Sequence, residues 1–317
     1  MGASAPIFFI KMLTDIISFD QLDTKTLSLI FKTADGIKKS FKNKKTLEIL
    51  KGKVITLLFF EPSSRTFSSF ASAAKRLGAQ TIEYQNPMQT SSAVKGETLE
   101  DTIKVFSAYS DLIIIRHPEI GAASRAANVT DIPVINAGDG AGEHPSQALL
   151  DLYTIREQFG RLDRLKGLIA GDFLYGRAVR SLLKALCLYK NNSIYLLSPK
   201  ELSLSKKDVY LYKSRGLKIF EIDSEKNIPR DCDFWYWTRV QKERFKNKTA
   251  SNKIKAPYLS TALLKAKGNN KMIVMHVLPR IDEVDREVDN DLRCIFLTKQ
   301  IKNGMYVRMA LLKLILK

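Results

Sequence analysis

This 317-residue sequence predicts an α/β protein with two doubly wound parallel-sheet domains. Two observations carry that expectation. Short β-rich apolar runs alternate with helical patterns along the chain, the order that builds parallel sheets covered by helices on both faces. The chemically interesting polar clusters fall just after the apolar runs, and in doubly wound sheets ligands bind outside the carboxyl ends of the strands.

The elements follow in order. A helical pattern covers roughly 20–41, and VITLLFF (54–60) is a β-rich apolar run, a buried strand. An Ala-, Ser- and Phe-rich helix runs over 66–77 and stops at Gly78. A short strand is expected at 80–84, then the polar loop 85–98 and a helix over about 97–110. DLIIIRH (111–117) is a strand, 119–127 a helix, IPVINAG (132–138) a strand, and 146–159 a helix. The second half repeats the theme. GLIAGD (167–172) is a strand and RAVRSLLKALCLY (177–189) an amphipathic helix. SIYLLS (193–198), LKIFEI (217–222), FWYWT (234–238) and MIVMHV (272–277) are strands, and a helix over 303–316 closes the chain. The boundary between the halves falls within the 146–160 helix or just after it. No internal repeat or low-complexity linker is visible.

Composition bounds the function. Apolar content of 45% and charged content of 26% are those of a globular protein. No apolar run is long enough to span a bilayer, so no membrane role is expected. The opening MGASAPIFFIKML has no basic residues ahead of its apolar patch and reads as a frayed N-terminus, not a signal peptide. Cys187, Cys232 and Cys294 are far apart, which argues against a disulfide frame or a zinc site and fits a reducing, cytoplasmic setting. The net charge of +18 fits nucleic acid, an anionic surface, anionic small substrates, or a lysine-rich solvated surface. Aromatic residues are not interleaved with the lysines of 38–45 and 242–255 as a base-stacking platform requires, so no nucleic-acid partner is expected.

Six strand ends carry the clusters. Ser63, Ser64, Arg65 and Thr66 stand at the junction of a strand with a helix, where free N–H groups and the positive end of the helix dipole suit a phosphate. An N-cap cluster beside a solvated Arg fits the same four residues. Arg116 and His117 end the 111–117 strand, and His117, ahead of Pro118, reads as structural. His144 and Gln147 follow a glycine-rich turn. Arg177 follows the 167–172 strand, Arg239 and Gln241 the 234–238 strand, and His276, Leu278 and Pro279 the 272–277 strand. A site lined with so many guanidiniums wants a multiply anionic ligand, since these planar groups bind carboxylate and phosphate bidentately. No G-x-G-x-x-G or Walker pattern is present. Asp139 and Glu143 lack a His pair at ligand spacing, so neither a cofactor nor a metal is expected.

Together these residues resemble the aspartate branch of the aspartate/ornithine carbamoyltransferase family. The matching pieces are FFEPSSRT (59–66), SSAVKGETLEDT (91–102), RHPE (116–119), NAGDGAGEHPSQALLD (136–151), GDFLYGRAVRSL (171–182), TRVQKER (238–244), MHVLPRIDEVDREVDND (275–291) and NGMYVRMALL (303–312). S-x-R-T is shared with ornithine carbamoyltransferases, whereas RVQKER, VKGET and NAGDG…HPSQ mark the aspartate enzymes. The resemblance implies carbamoyl transfer from carbamoyl phosphate to L-aspartate, an early step of pyrimidine synthesis, without cofactor or metal. It implies a carbamoyl phosphate-binding domain over 1–150 and an aspartate-binding domain over 151–317, the active site in the cleft between them, and a C-terminal helix packed back on the first. Ser63, Ser64, Arg65 and Thr66 would cradle the phosphate. Arg116, His144 and Thr66 would contact the carbonyl oxygen, and Gln147 with the Leu278–Pro279 backbone would hold the carbamoyl amino group. Arg177, Arg239 and Gln241 would bind the aspartate carboxylates. Ser91 and Lys95 would reach into a neighbouring subunit's site, for both substrates in the case of Lys95, which implies a homotrimer with shared sites.

The sequence departs from the family pattern at four places. Val277 stands for the first proline of His-Pro-Leu-Pro, Ser64 for Thr, Val94 for a second Lys, and Arg180 for His. None removes an expected catalytic group. Carbamoyl transfer to another amine, such as ornithine, is the nearest rival, but a cationic substrate would want acids where Arg177, Arg239 and Gln241 stand.

Overall fold

The computed structural model describes residues 13–41, 47–86, 96–245 and 254–317. The N-terminal segment 1–12, and Ser91 and Lys95 with most of the 85–98 loop, lie outside the described residues.

Two all-parallel sheets carry the chain. The first has four strands: β1 (Val54–Phe59), β2 (Gln80–Gln85), β3 (Leu112–His117) and β4 (Val134–Asp139), in the order β2-β1-β3-β4. The second has five: β5 (Lys166–Ala170), β6 (Ser193–Leu197), β7 (Lys218–Ile222), β8 (Phe234–Trp237) and β9 (Ile273–His276), in the order β7-β6-β5-β8-β9. Burial explains the sequence of each strand. Strands β3, β4, β8 and β9 are buried at every residue, as expected of a strand covered on both faces; β8 is a continuous apolar run, and β3, β4 and β9 add polar residues to theirs, Arg116, His117, Asn136, Asp139 and His276. Of the four edge strands, β2 and β7 are partly exposed and carry Gln, Glu and Lys, whereas β4 and β9 are buried.

Among the described residues the α-helices, in chain order, are α1 (Thr24–Phe41), α2 (Ser64–Arg76), α3 (Leu99–Ser107), α4 (Ala122–Ala127), α5 (Pro145–Phe159), α6 (Arg177–Leu186), α7 (Lys206–Ser214), α8 (Thr261–Lys267) and α9 (Lys299–Leu316). Helix α5 is buried over most of its length and joins the two sheets, and one apolar core runs through it from Phe31 and Leu57 to Ile169 and Leu183. The C-terminal α9 packs against α1, α2 and α5.

Sequence periodicity places every strand to within a residue or two but leaves α7 and α8 unread. Only Val209 and Tyr212 are buried on α7 and only Leu264 on α8, so neither shows an apolar stripe. Their signals are caps: Ser205 accepts from the Asp208 N–H and Ser260 from the Leu263 N–H. Helix α9 starts at Lys299 rather than 303; its first turn buries the polar Gln300 and exposes Ile301, so it carries no apolar stripe.

Each sheet reverses direction once. In the first, the chain leaves β1 toward β2 and returns on the other side as β3; in the second, β6 lies on one side of β5 and β8 on the other. A crevice opens at the carboxyl ends of such strand pairs. The loops there are 60–63 and 118–121 in one sheet, 171–176 and 238–241 in the other.

Candidate functional site

The first crevice is built at the start of α2. Ser63 occupies the N-cap position in an extended conformation, but its hydroxyl makes no capping bond. The sequence allows a capping cluster here, and in the structure Ser63 does not cap the helix with its side chain. The N–H groups of Ser64, Arg65 and Thr66 are those an α-helix cannot satisfy internally, and the helix dipole is positive there. Thr66 is buried and its Oγ1 lies 3.4 Å from His144 Nε2. His144 is the N-cap residue of α5, ahead of Pro145, and its backbone N–H donates to Ser181 Oγ on α6 at 3.0 Å. Burial, then the charges of Arg116, Arg177 and Arg308, hold its imidazole well below the usual histidine range. It is therefore neutral at pH 7, able to give one hydrogen bond to an oxygen without adding charge.

Arg116, at the end of β3, donates from Nη1 to the Ala137 carbonyl at 3.2 Å. Its guanidinium lies against Gly138, as does that of Arg177. With φ of +119°, Gly138 is in a region L side chains avoid, and a Cβ there would sit 3.0 Å from Arg116 Nη1 and 3.1 Å from Arg177 Cζ. Gly138, near the carboxyl end of β4, thus lets two arginines from different halves approach each other.

The second crevice is organised by Asp172. Its carboxylate accepts the N–H of Tyr175 at 2.9 Å and of Gln241 at 3.0 Å, so one buried acid orders both loops. Burial raises its pKa and these bonds oppose the rise. Gln241 donates from Nε2 to the Tyr175 carbonyl at 2.8 Å and accepts from Arg244 Nε at 3.0 Å. Arg239 is paired with Glu243, one turn along the chain. Gly171, with φ of +126°, faces the Thr238 carbonyl so closely that a Cβ would lie 1.9 Å from that oxygen.

Glu61 joins the crevices. Its Oε2 lies 3.2 Å from Arg116 Nη2 and 2.9 Å from Arg177 Nη2, and its Oε1 3.1 Å from Arg244 Nη2. One carboxylate from the first half holds three guanidiniums, two of them from the second. Arg116 and Arg177 are 9% and 8% exposed, and desolvation is the main cause lowering the pKa of both, with Arg116 brought to about 9. Desolvation and the charge of Arg239 also lower Arg65, which places those two cations near one another across the halves.

At the end of β9, Leu278 has a positive φ of 57° and donates its N–H to His276 Nδ1 at 2.7 Å. His276 Nε2 lies 2.8 Å from Glu283 Oε1, both buried. The cis peptide in this turn is Leu278–Pro279, and the bond ahead of Val277, where the family has its first proline, is trans. Arg180 turns to the Leu174 carbonyl at 3.0 Å.

The structure brings together Thr66 and His144, and Arg116 and Arg177. It places Ser63, Ser64 and Arg65 on one helix end, Gln147 one turn into α5, and Arg239 with Gln241 on the 238–241 loop. Ser91 and Lys95 lie outside the described residues. Sequence reading missed Glu61, Asp172 and Arg244. Glu61 carried one signal, an acid directly after a strand at the edge of a basic cluster.

The comparisons with known proteins agree with this geometry. Residues 14–157 match the family model of the aspartate/ornithine carbamoyltransferase carbamoyl-P binding domain, and residues 163–315 that of the Asp/Orn binding domain. The chain is 44% identical to aspartate carbamoyltransferase 1, chloroplastic, of Pisum sativum, over 99% of this chain and 82% of that protein. It superposes on the catalytic subunit of M. jannaschii aspartate transcarbamoylase with a TM-score of 0.88 at 41% identity, covering 96% of this chain and 98% of the other. The Trypanosoma cruzi aspartate transcarbamoylase in complex with carbamoyl phosphate and aspartate gives a TM-score of 0.88 at 35% identity, covering 96% and 97%. With both halves matched and relatives similar over nearly the whole length, this chain belongs to the aspartate/ornithine carbamoyltransferase family.

Proposed function

We propose that this protein transfers the carbamoyl group of carbamoyl phosphate to the amine of L-aspartate, giving N-carbamoyl-L-aspartate and phosphate, an early step of pyrimidine synthesis. One observation carries the reading: guanidiniums from both sheets converge on Glu61 beside a neutral, buried His144. Three cations on one protein acid match a ligand pair that is itself phosphate plus two carboxylates.

The α2 N-terminus, Ser63 to Thr66, takes the phosphate. Arg116, His144 and Thr66 point donors at the carbonyl oxygen, and Gln147 with the Leu278–Pro279 backbone accepts from the amino group. Arg177, Arg239 and Gln241 take the aspartate carboxylates. The amine then attacks the carbonyl carbon and the C–N bond forms, the bond from that carbon to the bridging oxygen breaks with its electron pair leaving on phosphate, and the proton lost by the amine is taken up by the departing phosphate. Donors aimed at the developing oxyanion, orientation of the two substrates, and closure of the halves supply the rate. Residues 1–150 and 151–317 are the two substrate domains in this reading. The protein works as a homotrimer, with Ser91 and Lys95 entering a neighbour's site, Lys95 touching both substrates. Its three free cysteines suit a reducing compartment such as the cytoplasm.

An assay of the purified chain with carbamoyl phosphate and either aspartate or ornithine tests the reaction. Carbamoylation of ornithine alone would overturn the substrate assignment. Mixing inactive Lys95→Ala with inactive Arg65→Ala chains should restore part of the activity, because some interfaces then carry neither change. No recovery after confirmed subunit exchange would rule out the shared site.

A further inference from the structure

Resting on that reading, we infer that Asp151 and Gln300 are positioning residues that fix Gln147 as a hydrogen-bond acceptor, and so set the preference of the site for a carbamoyl amino group over a methyl of the same size.

An amide side chain can present either oxygen or nitrogen to a ligand, and its surroundings decide which. Gln147 lies one turn before Asp151 on α5. Its Nε2 donates to both carboxylate oxygens of Asp151, at 3.1 and 3.2 Å. Asp151 is fully buried and also accepts from Tyr236 Oη and Gln300 Nε2, each at 2.7 Å. Burial pushes its pKa up to about 6, against these bonds, so it is ionised at neutral pH. An ionised carboxylate accepts only, so the nitrogen of Gln147 must face it. The oxygen then faces away, and among the described residues no group donates to it.

Gln300 extends the order to the second acceptor. It is buried on α9, and while Nε2 binds Asp151, Oε1 accepts the N–H of His276 at 3.1 Å. His276 Nδ1 in turn accepts the Leu278 N–H and holds Leu278 in its left-handed conformation. Asp151 and Gln300 therefore tie Gln147 and the Leu278 turn into one network. Two acceptors fixed in this way suit the two N–H bonds of a carbamoyl amino group. An acetyl group offers a methyl there and leaves both acceptors unpaired, which is how sites built on hydrogen bonds reject an isostere.

The test compares carbamoyl phosphate with acetyl phosphate. For wild type, Asp151→Asn, Gln147→Leu and the double variant, the KM for carbamoyl phosphate and the Ki of acetyl phosphate against it are measured. An amide in place of the Asp151 carboxylate can satisfy either orientation of Gln147, so carbamoyl phosphate should weaken while acetyl phosphate barely changes. The ratio of Ki to KM should fall about tenfold, the equivalent of one hydrogen bond. In the Gln147→Leu background the same change should leave the ratio where it is. A purely structural role for Asp151 would weaken both ligands together, and an unchanged ratio overturns the inference. Should Asp151→Asn fail to fold, Gln300→Met carries the same test, with the same two outcomes. A wild-type chain that does not carbamoylate aspartate would instead overturn the reading on which the inference rests.

Discussion

The arginines of the two crevices bear the same charge and are held in different ways. On the side of the first sheet, Arg116 ends a fully buried strand, rests on the Ala137 carbonyl, packs against Gly138 and shares Glu61 with the other side, with the neutral His144 and Thr66 beside it. On the side of the second sheet, Arg239 and Arg244 stand on a half-exposed turn, and protein acids already hold them, Glu243 and Glu61. The first region has its donors in place and desolvated. The second holds its cations on carboxylates of the same chemistry as an aspartate side chain. A rigid phosphate side and an exchangeable carboxylate side together predict ordered binding. Carbamoyl phosphate enters the prepared crevice first, and aspartate then draws Arg239 from Glu243 while Glu61 stays paired across the halves. Calorimetry of aspartate with and without a phosphonate analogue of carbamoyl phosphate checks the order, and equal aspartate affinity in both would defeat it.

The strongest way to break the comparison is to remove a prepared donor. Arg116→Ala should lower kcat about 10²- to 10³-fold, or roughly 3–4 kcal/mol, as for the loss of one oxyanion donor. Steady-state kinetics with aspartate saturating would read it. A change confined to KM would mean that Arg116 binds the ground state only.

The network behind the first crevice can be probed through stability. Burial raises the Asp151 pKa to about 6 from 3.8. Between those values the folded chain binds a proton that the unfolded chain has released. Stability therefore falls as pH rises through this window and is level above it. Asp151→Asn has no such proton, so its stability relative to wild type should rise from pH 4 to pH 6. The full span is about 3 kcal/mol, at 1.36 kcal/mol per unit. Urea unfolding of both proteins across that range would show it; a flat difference would mean that Asp151 ionises in the fold as it does in water.

The exchangeable side should respond more mildly, and in a different constant. Arg239→Ala should raise the aspartate KM about 30-fold, near 2 kcal/mol for a hydrogen bond to a charged group, with carbamoyl phosphate affinity unchanged. An unaltered aspartate KM would remove Arg239 from the carboxylate site.

The two regions also differed in how far the sequence disclosed them. Strand ends carry their chemistry next to the strand, so Arg116, the 63–66 cluster and Arg177 could be read from periodicity and position alone. Groups that work by pairing across the halves gave no such local sign. Glu61 meets Arg244 more than 180 positions later, and Gln300 meets Asp151 from the last helix. Neither contact leaves a trace in spacing. The helices α7 and α8 were hidden for another reason, since each buries too few apolar residues to make a stripe.

Glu61 decides what the pairing is for. As a stand-in for the substrate it would compete with aspartate; as a tether it would hold the halves closed. The geometry favours the tether. Glu61 comes from the first half, and two of its three partners, Arg177 and Arg244, come from the second. Without its charge, three guanidiniums at close quarters repel one another, and the crevices lose the bridge that brings them together. Gln keeps the size and half of the hydrogen bonding but not the charge. Glu61→Gln should therefore raise the aspartate KM by about tenfold, or 1.4 kcal/mol, the modest loss expected when charge-assisted bonds become neutral ones. Carbamoyl phosphate affinity should change less than that of aspartate, since only one of the three partners of Glu61, Arg116, belongs to its side. A fall in the aspartate KM would make Glu61 a competitor instead, and the exchange of partners on the second side would then be the whole of its role.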